Sequence, residues 1–200
     1  MVFQLLIAAI IITFCWALYA GVAMPSFRKG QQNSCASNIH QLALALQMYS
    51  SDYDSVLPPI PWEEMNSWPR VLRSYSLQDK VQRRIDQGIG DVSSVKPYIC
   101  PARAEKGYGY GLNFYLVGSL IDTNADPGKL ILLAEASEIT DEHWWVNDPE
   151  LTLPYRRFQP PICRQPLFSI HTGGANIAYL DGHVHATKSG QLSLENWLPF

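Results

Sequence analysis

His171, Asp181, His183 and His185, with Glu135 upstream, are the side chains that could gather around one ion in the manner of a metal hydrolase. Their spacing argues against it. Ala175 to Leu180 reads as a strand, which at about 3.3 Å per residue puts its ends roughly 20 Å apart. His171 precedes that strand and Asp181 follows it, so the two share an ion only if the His-Thr-Gly-Gly segment doubles back. His183 and His185, two residues apart, project from one face of the next strand, where such a pair reads as surface. Asp181 and Gly182 are there for the turn: Asp-Gly between two strand-like runs signals a hairpin, because both residues tolerate positive φ. His171 is expected to hold its loop through a hydrogen bond.

Asp122, Asn124 and Asp126 place oxygen ligands at alternate positions, like the start of a calcium loop. An EF-hand loop needs Gly at its sixth position and a bidentate Glu at its twelfth. Pro127 and Leu133 occupy those places, so the segment reads as a polar turn, with calcium the one cofactor it could be asked to hold. Cys15 lies inside an apolar run. The other cysteines, Cys35, Cys100 and Cys163, form no C-x-x-C and have no ligand-like spacing to histidine, so a zinc site is not expected. In an exported domain they would give one disulfide and one free thiol, with three pairings open. Gly-x-Ser-x-Gly is absent, and no Ser or Cys is paired with a local His motif. Tyr108-Gly109-Tyr110-Gly111 lacks the Lys-Ser/Thr ending of a phosphate loop. Nothing in these patterns calls for an enzyme or a small-molecule substrate. The net charge of −3 and the scattered Lys and Arg offer no phosphate-neutralising stripe for nucleic acid.

The elements that carry these residues begin with a helix. Met1 to Ala23 holds no charged side chain, and only Gln4 and Thr13 interrupt an apolar run of about 22 residues, close to the ~20 a helix needs to cross a bilayer. The run is longer than the h-region of a signal peptide and lacks a basic start, so a retained, single membrane anchor is expected over residues 1–24. Arg28 and Lys29 alone would place the remainder of the chain in the cytoplasm. Cys35, Ile39, Leu42, Leu46, Tyr49 and Tyr53 recur at spacings of three and four, predicting an amphipathic helix that continues to about Asp54. Pro58, Pro59 and Pro61 forbid its extension. A globular domain over 55–200 should come next. In it, Trp62 to Ser76 reads as a short helix with Pro69 in its first turn and Val71, Leu72 and Tyr75 inward, and Leu77 to Ile89 as a second, charged one. Tyr98 to Cys100 reads as a brief extended piece, Leu112 to Val117 and Lys129 to Ala136 as strands, and Glu138 to Phe168 as an irregular loop packed by Trp144 and Trp145. The hairpin of Ala175 to Leu180 and His183 to Thr187 completes the domain.

Two of these segments carry a resemblance. Ser34-Cys35-Ala-Ser-Asn38-Ile-His-Gln41-Leu-Ala-Leu-Ala-Leu-Gln-Met-Tyr49-Ser-Ser-Asp52-Tyr-Asp54 resembles the C-x-x-N-L-K-Q-x-x-L-A-x-x-M-Y-x-x-D-x-D stretch of bacterial prepilin-like proteins. The tail His171-Thr-Gly173-Gly174-Ala-Asn176-Ile-Ala-Tyr-Leu-Asp181-Gly182 is similar to their C-terminal signature, a His, nine residues, then Asp-Gly. Ser67-Trp68-Pro69, Cys100-Pro101 and Tyr110-Gly-Leu-Asn113 fall where that family places short motifs, so the resemblance spans about residues 25–188. Ala-Met-Pro25 is similar to the proline bend of pilin helices.

The resemblance implies an α+β, type IV pilin-like architecture, with a long N-terminal helix packed on a small C-terminal antiparallel sheet. It also implies a bacterial inner-membrane location with the domain extracytoplasmic, outweighing Arg28 and Lys29. The partners it implies are the membrane and other pilin-like subunits, as in type II secretion pseudopilins. The alternative is an anchored binding module that keeps the fold and does not assemble. One departure stands out. In register with Pro25, the family's assembly glutamate falls at Ala8 and its first mature residue near Gln4, with no Gly or basic leader ahead, so prepilin processing is not expected.

Overall fold

A single helical rod, Val2–Asp52, dominates the chain in the computed structural model. The structure describes residues 2–58, 68–76, 83, 87–88, 96–102, 109–121, 126–135, 145–146, 171, 174–188, 191–193 and 196–197. Its 51 residues are about 77 Å long at 1.5 Å each. The rod comprises α1 (Val2–Leu18), a π-helical turn at Tyr19–Ala23 and α2 (Met24–Asp52). No residue of α1 is buried, and this helix near the N-terminus is long and apolar enough to span a membrane. Its hydroxyl, Thr13 Oγ1, bonds back to the Ala9 and Ile10 carbonyls, so that polar group needs no water.

Pro25 explains the π turn. Proline has no N–H to give, and its ring crowds the carbonyl four residues back, here Gly21. The ladder widens one turn earlier, where the Met24 N–H reaches the Tyr19 carbonyl, an i→i−5 bond.

The predicted stripe on α2 is buried from Cys35 through Ile39, Leu42 and Leu46 to Tyr49. Its last member departs. Tyr53 caps the helix, is half-exposed and stacks on Tyr49 at 4.2 Å. The helix ends at Asp52, two residues short of the expected limit, because Asp54 and Ser55 take positive φ of 51° and 63°. That turn sends the Ser55 N–H back to the Ser50 carbonyl at 2.7 Å. The chain then pairs loosely with residues 118–121, through a Val56–Leu120 bridge.

Among the described residues, five strands form one sheet in the order β3-β1-β2-β4-β5. They are β1 (Tyr110–Asn113), β2 (Ile131–Glu135), β3 (Trp145–Val146), β4 (Gly174–Tyr179) and β5 (Val184–Lys188). Four of them make the small antiparallel sheet, so the layout is α+β. β3 joins the edge parallel to β1, inside the segment expected to be an irregular loop; most of that loop lies outside the described residues. β1 starts two residues before the expected Leu112 and stops at Asn113. Asn113 Oδ1 takes the Tyr115 N–H at 3.1 Å, an Asx turn that diverts the chain into a 3₁₀ turn at Phe114–Leu116. Every residue of β2 and β4 is buried, as suits central strands, and α2 packs across both.

Trp62 to Ser76 resolves into two single turns where it is described, α3 (Trp68–Val71) and α4 (Arg73–Ser76), with Pro69 second in α3. Leu72 is fully buried, with Val71 and Tyr75 against the core as expected. Tyr75 donates to Asp52 Oδ2 at 2.8 Å, and that hydrogen bond is the main reason its hydroxyl pKa rises to about 12. Most of Leu77 to Ile89 lies outside the described residues. Tyr98 and Cys100 are buried but their segment joins no strand; a disulfide between Cys35 and Cys100 ties it to α2 across 65 residues. Closing a loop of that length stabilises by about 4 kcal/mol in the chain-entropy account. Gly109 makes the approach feasible, since a Cβ there would lie 2.6 Å from the Cys100 nitrogen.

Candidate functional site

A charged residue inside a near-continuous apolar strand must find partners or be neutralised. Glu135, the last residue of β2, is fully buried and finds three. Its Oε1 accepts from His171 Nε2 at 3.0 Å and from Asn176 Nδ2 at 2.9 Å, and its Oε2 accepts the Asn176 backbone N–H at 2.7 Å. β4 delivers Asn176, and a bridge between His171 and Gly174 folds the histidine back over the strand. Asn176 also donates to the Gln32 carbonyl of α2 at 3.1 Å, so helix, β2 and β4 meet on one carboxylate.

The disulfide lies against this cluster. Cys100 Sγ is 3.8 Å from His171 Nε2 and 3.9 Å from Glu135 Oε1. A disulfide sulfur carries no hydrogen, so these are packing contacts. Two more bonds hold the cysteines' backbone: Asn38 Nδ2 donates to the Ile99 carbonyl at 2.9 Å, and Tyr110 Oη to the Cys35 carbonyl at 3.2 Å. Burial first, and the Glu135 charge second, push the Tyr110 hydroxyl pKa up, which keeps it a donor.

The other end of β4 is a hairpin of different character. Asp181 Oδ1 accepts the His183 N–H at 3.0 Å and contacts its Nδ1 at 2.6 Å, both side chains nearly half exposed. Partial burial pushes the Asp181 carboxyl upward, but the His183 hydrogen bonds and charge outweigh it, leaving its pKa below the usual carboxylate value. The turn is not the expected two-residue Asp-Gly type. Tyr179 pairs with His183 around Leu180-Asp181-Gly182, and only Gly182 has positive φ, at 91°. That matches the three-residue loop with glycine in the left-handed position. From α2, Gln47 Nε2 donates to the Leu180 carbonyl at 2.9 Å, and His40 Nδ1 lies 3.0 Å from the Gly182 carbonyl.

Of the five residues that could have shared an ion, the structure joins Glu135 with His171 and Asp181 with His183, at opposite ends of β4. His185 is exposed on β5. His171 does more than hold a loop, because its ring is part of the buried cluster. Asp126 is a turn residue: its Oδ1 accepts the Gly128 N–H at 3.0 Å, and Lys129 Nζ is 3.8 Å from its Oδ2. Asp122, Asn124, Gly173 and Cys163 lie outside the described residues. On α2, Cys35, Asn38, Tyr49 and Asp52 make the contacts given above, whereas Gln41 points outward toward Ser37 and Asp54 shapes the turn after the helix. Sequence reasoning missed Glu135 as the hub and the Cys35–Cys100 pairing. A lone Glu in an apolar strand run was the available signal for the first. No protein-family model, curated protein or solved structure matches the chain.

Proposed function

We propose that the chain is a membrane-anchored, pseudopilin-like structural subunit of a type II secretion or type IV pilus-like system, non-catalytic, with its domain on the extracytoplasmic face of a bacterial inner membrane. One observation carries this reading: a continuous 51-residue helix whose apolar first half is wholly exposed while its second half is the spine of an α+β domain. An unpartnered apolar rod of that length needs lipid or like helices around it. The two sequence signatures support the reading too, because they meet in space, through Asn176 on Gln32, Gln47 on Leu180 and His40 beside Gly182. The buried Glu135–His171 pair, closed off from solvent, then acts as a clasp between helix and sheet.

Photo-crosslinkers placed at Ile10 and Phe14 test assembly in membranes. Chain-to-chain products, or capture of other pilin-like subunits, are expected. A strictly monomeric chain that ignores such subunits would overturn it and favour the anchored module that does not assemble, for which Ala8 in place of an acidic side chain is the supporting observation.

A further inference from the structure

The helix, the segment before β1, the end of β2 and the residue bridged to β4 each send one metal-ligating side chain to the same buried point. These are Cys35, Cys100, Glu135 and His171, and their ligand atoms all lie within 4.8 Å of one another. Two sulfurs, one imidazole and one carboxylate form a zinc donor set. With bonds of about 2.0–2.3 Å, a tetrahedral ion holds its donors roughly 3.3–3.8 Å apart. The distances from Cys100 Sγ to His171 and Glu135 are 3.8 and 3.9 Å, and from His171 to Glu135 3.0 Å. The surroundings are built as a metal's outer shell would be: Asn176 orients the Glu135 carboxylate from two directions, while Asn38 and Tyr110 pin the backbone beside each cysteine.

We propose that these four side chains form a closed structural zinc site in the dithiol form of the chain. The cysteines then have two alternative partners, each other or the ion. Passing from disulfide to site, a dithiol reductant supplies two electrons and two protons to the S–S bond. The sulfurs leave as two thiols and the reductant becomes its disulfide. One Zn²⁺ then displaces the two thiol protons; His171 gives up its Nε2 proton and takes one on Nδ1, so that Nε2 can ligate as neutral imidazole, and Glu135 exchanges its bond from Nε2 for one to the ion. Reoxidation by a disulfide-class oxidant takes two electrons from the thiolates, re-forms the S–S bond and releases the ion. Zinc and disulfide therefore hold the same two segments together in different redox conditions. The site needs no partner subunit and stands apart from the assembly reading.

The test uses the full chain in detergent, once oxidised and once reduced with a metal-free phosphine, titrated with Co²⁺ and then with Zn²⁺. The reduced chain is expected to bind one Co²⁺ with sulfur-to-metal charge transfer and tetrahedral visible bands, which Zn²⁺ bleaches; the oxidised chain should show neither. His171→Ala, and Glu135→Gln as the milder change, should each weaken binding about tenfold or more. Should the reduced chain unfold without metal, Zn²⁺ must restore its near-ultraviolet circular dichroism. A reduced wild-type chain that binds no Co²⁺, binds it without thiolate bands, or is not refolded by Zn²⁺ overturns the proposal, as does binding that both substitutions leave unchanged.

Discussion

A histidine–carboxylate pair stands at each end of β4, and the two pairs differ above all in burial. At one end His171 and Glu135 meet at 3.0 Å with side chains 3% and 0% exposed; at the other His183 and Asp181 meet at 2.6 Å with 47% and 43% exposed. The shorter contact is the weaker one. In water an ion pair recovers little beyond what solvation already provides, whereas a buried charge stripped of its partner has nothing to replace it. Glu135 therefore depends on three donors drawn from two places in the chain, and losing one is felt by helix and sheet together. Asp181 merely tightens a turn that glycine and the helix already define.

Five substitutions sharpen this contrast. The largest effect is expected from His171→Ala, which leaves the Glu135 carboxylate buried and short of a donor. The chain should lose about 3–5 kcal/mol, read by urea unfolding of the detergent-solubilised protein. A loss similar to that of an exposed pair would collapse the distinction between the two ends. Next comes Gly182→Ala. The residue's φ of 91° strains any Cβ, which would also lie 3.2 Å from Gln47 Nε2, so a loss of about 1–3 kcal/mol is expected in the same assay. Gln47→Ala removes one bond between α2 and the hairpin while leaving the turn intact. It should cost about 0.5–1.5 kcal/mol, and hydrogen exchange should rise across residues 179–183.

Smallest is His183→Ala, at about 0–1 kcal/mol. Its signature is pH dependence. Asp181 has a folded pKa below its unfolded value of about 3.9, so its contribution is present above that value and fades as pH falls through the folded one. The stability gap between wild type and Asp181→Asn should therefore close as pH falls below about 4. A gap that instead opens in acid would contradict the hydrogen-bonding assigned to Asp181.

Local pattern was a good guide wherever a segment's fate is settled by its own residues. The stripe from Cys35 to Tyr49 buries one face, the apolar run that starts at Lys129 supplies the inner strand Ile131–Glu135, and Asp181-Gly182 lies in a turn. Small misreadings came from side chains acting on the backbone nearby. Asn113 ends β1 early with an Asx turn, and positive φ at Asp54 and Ser55 stops the helix two residues short. The strand β3 was invisible, because a two-residue edge strand has no periodicity to read.

The buried site was a different matter. Read locally, Glu135 and His171 belong to an ion-ligand group that the spacing argues against, Cys35 is one of three cysteines with the pairing open, and Asn176 is part of a signature with no chemistry attached. What the sequence by itself determined was the set of elements: an apolar rod running into an amphipathic one, short strands and a hairpin, because periodicity and turn chemistry are local properties of the chain. Only the tertiary structure decided that Cys35, Cys100, Glu135, His171 and Asn176 share one buried cluster. Their separations of up to 141 residues leave no spacing to read, and it is burial against α2 that makes each carboxylate, imidazole and sulfur answer to the others.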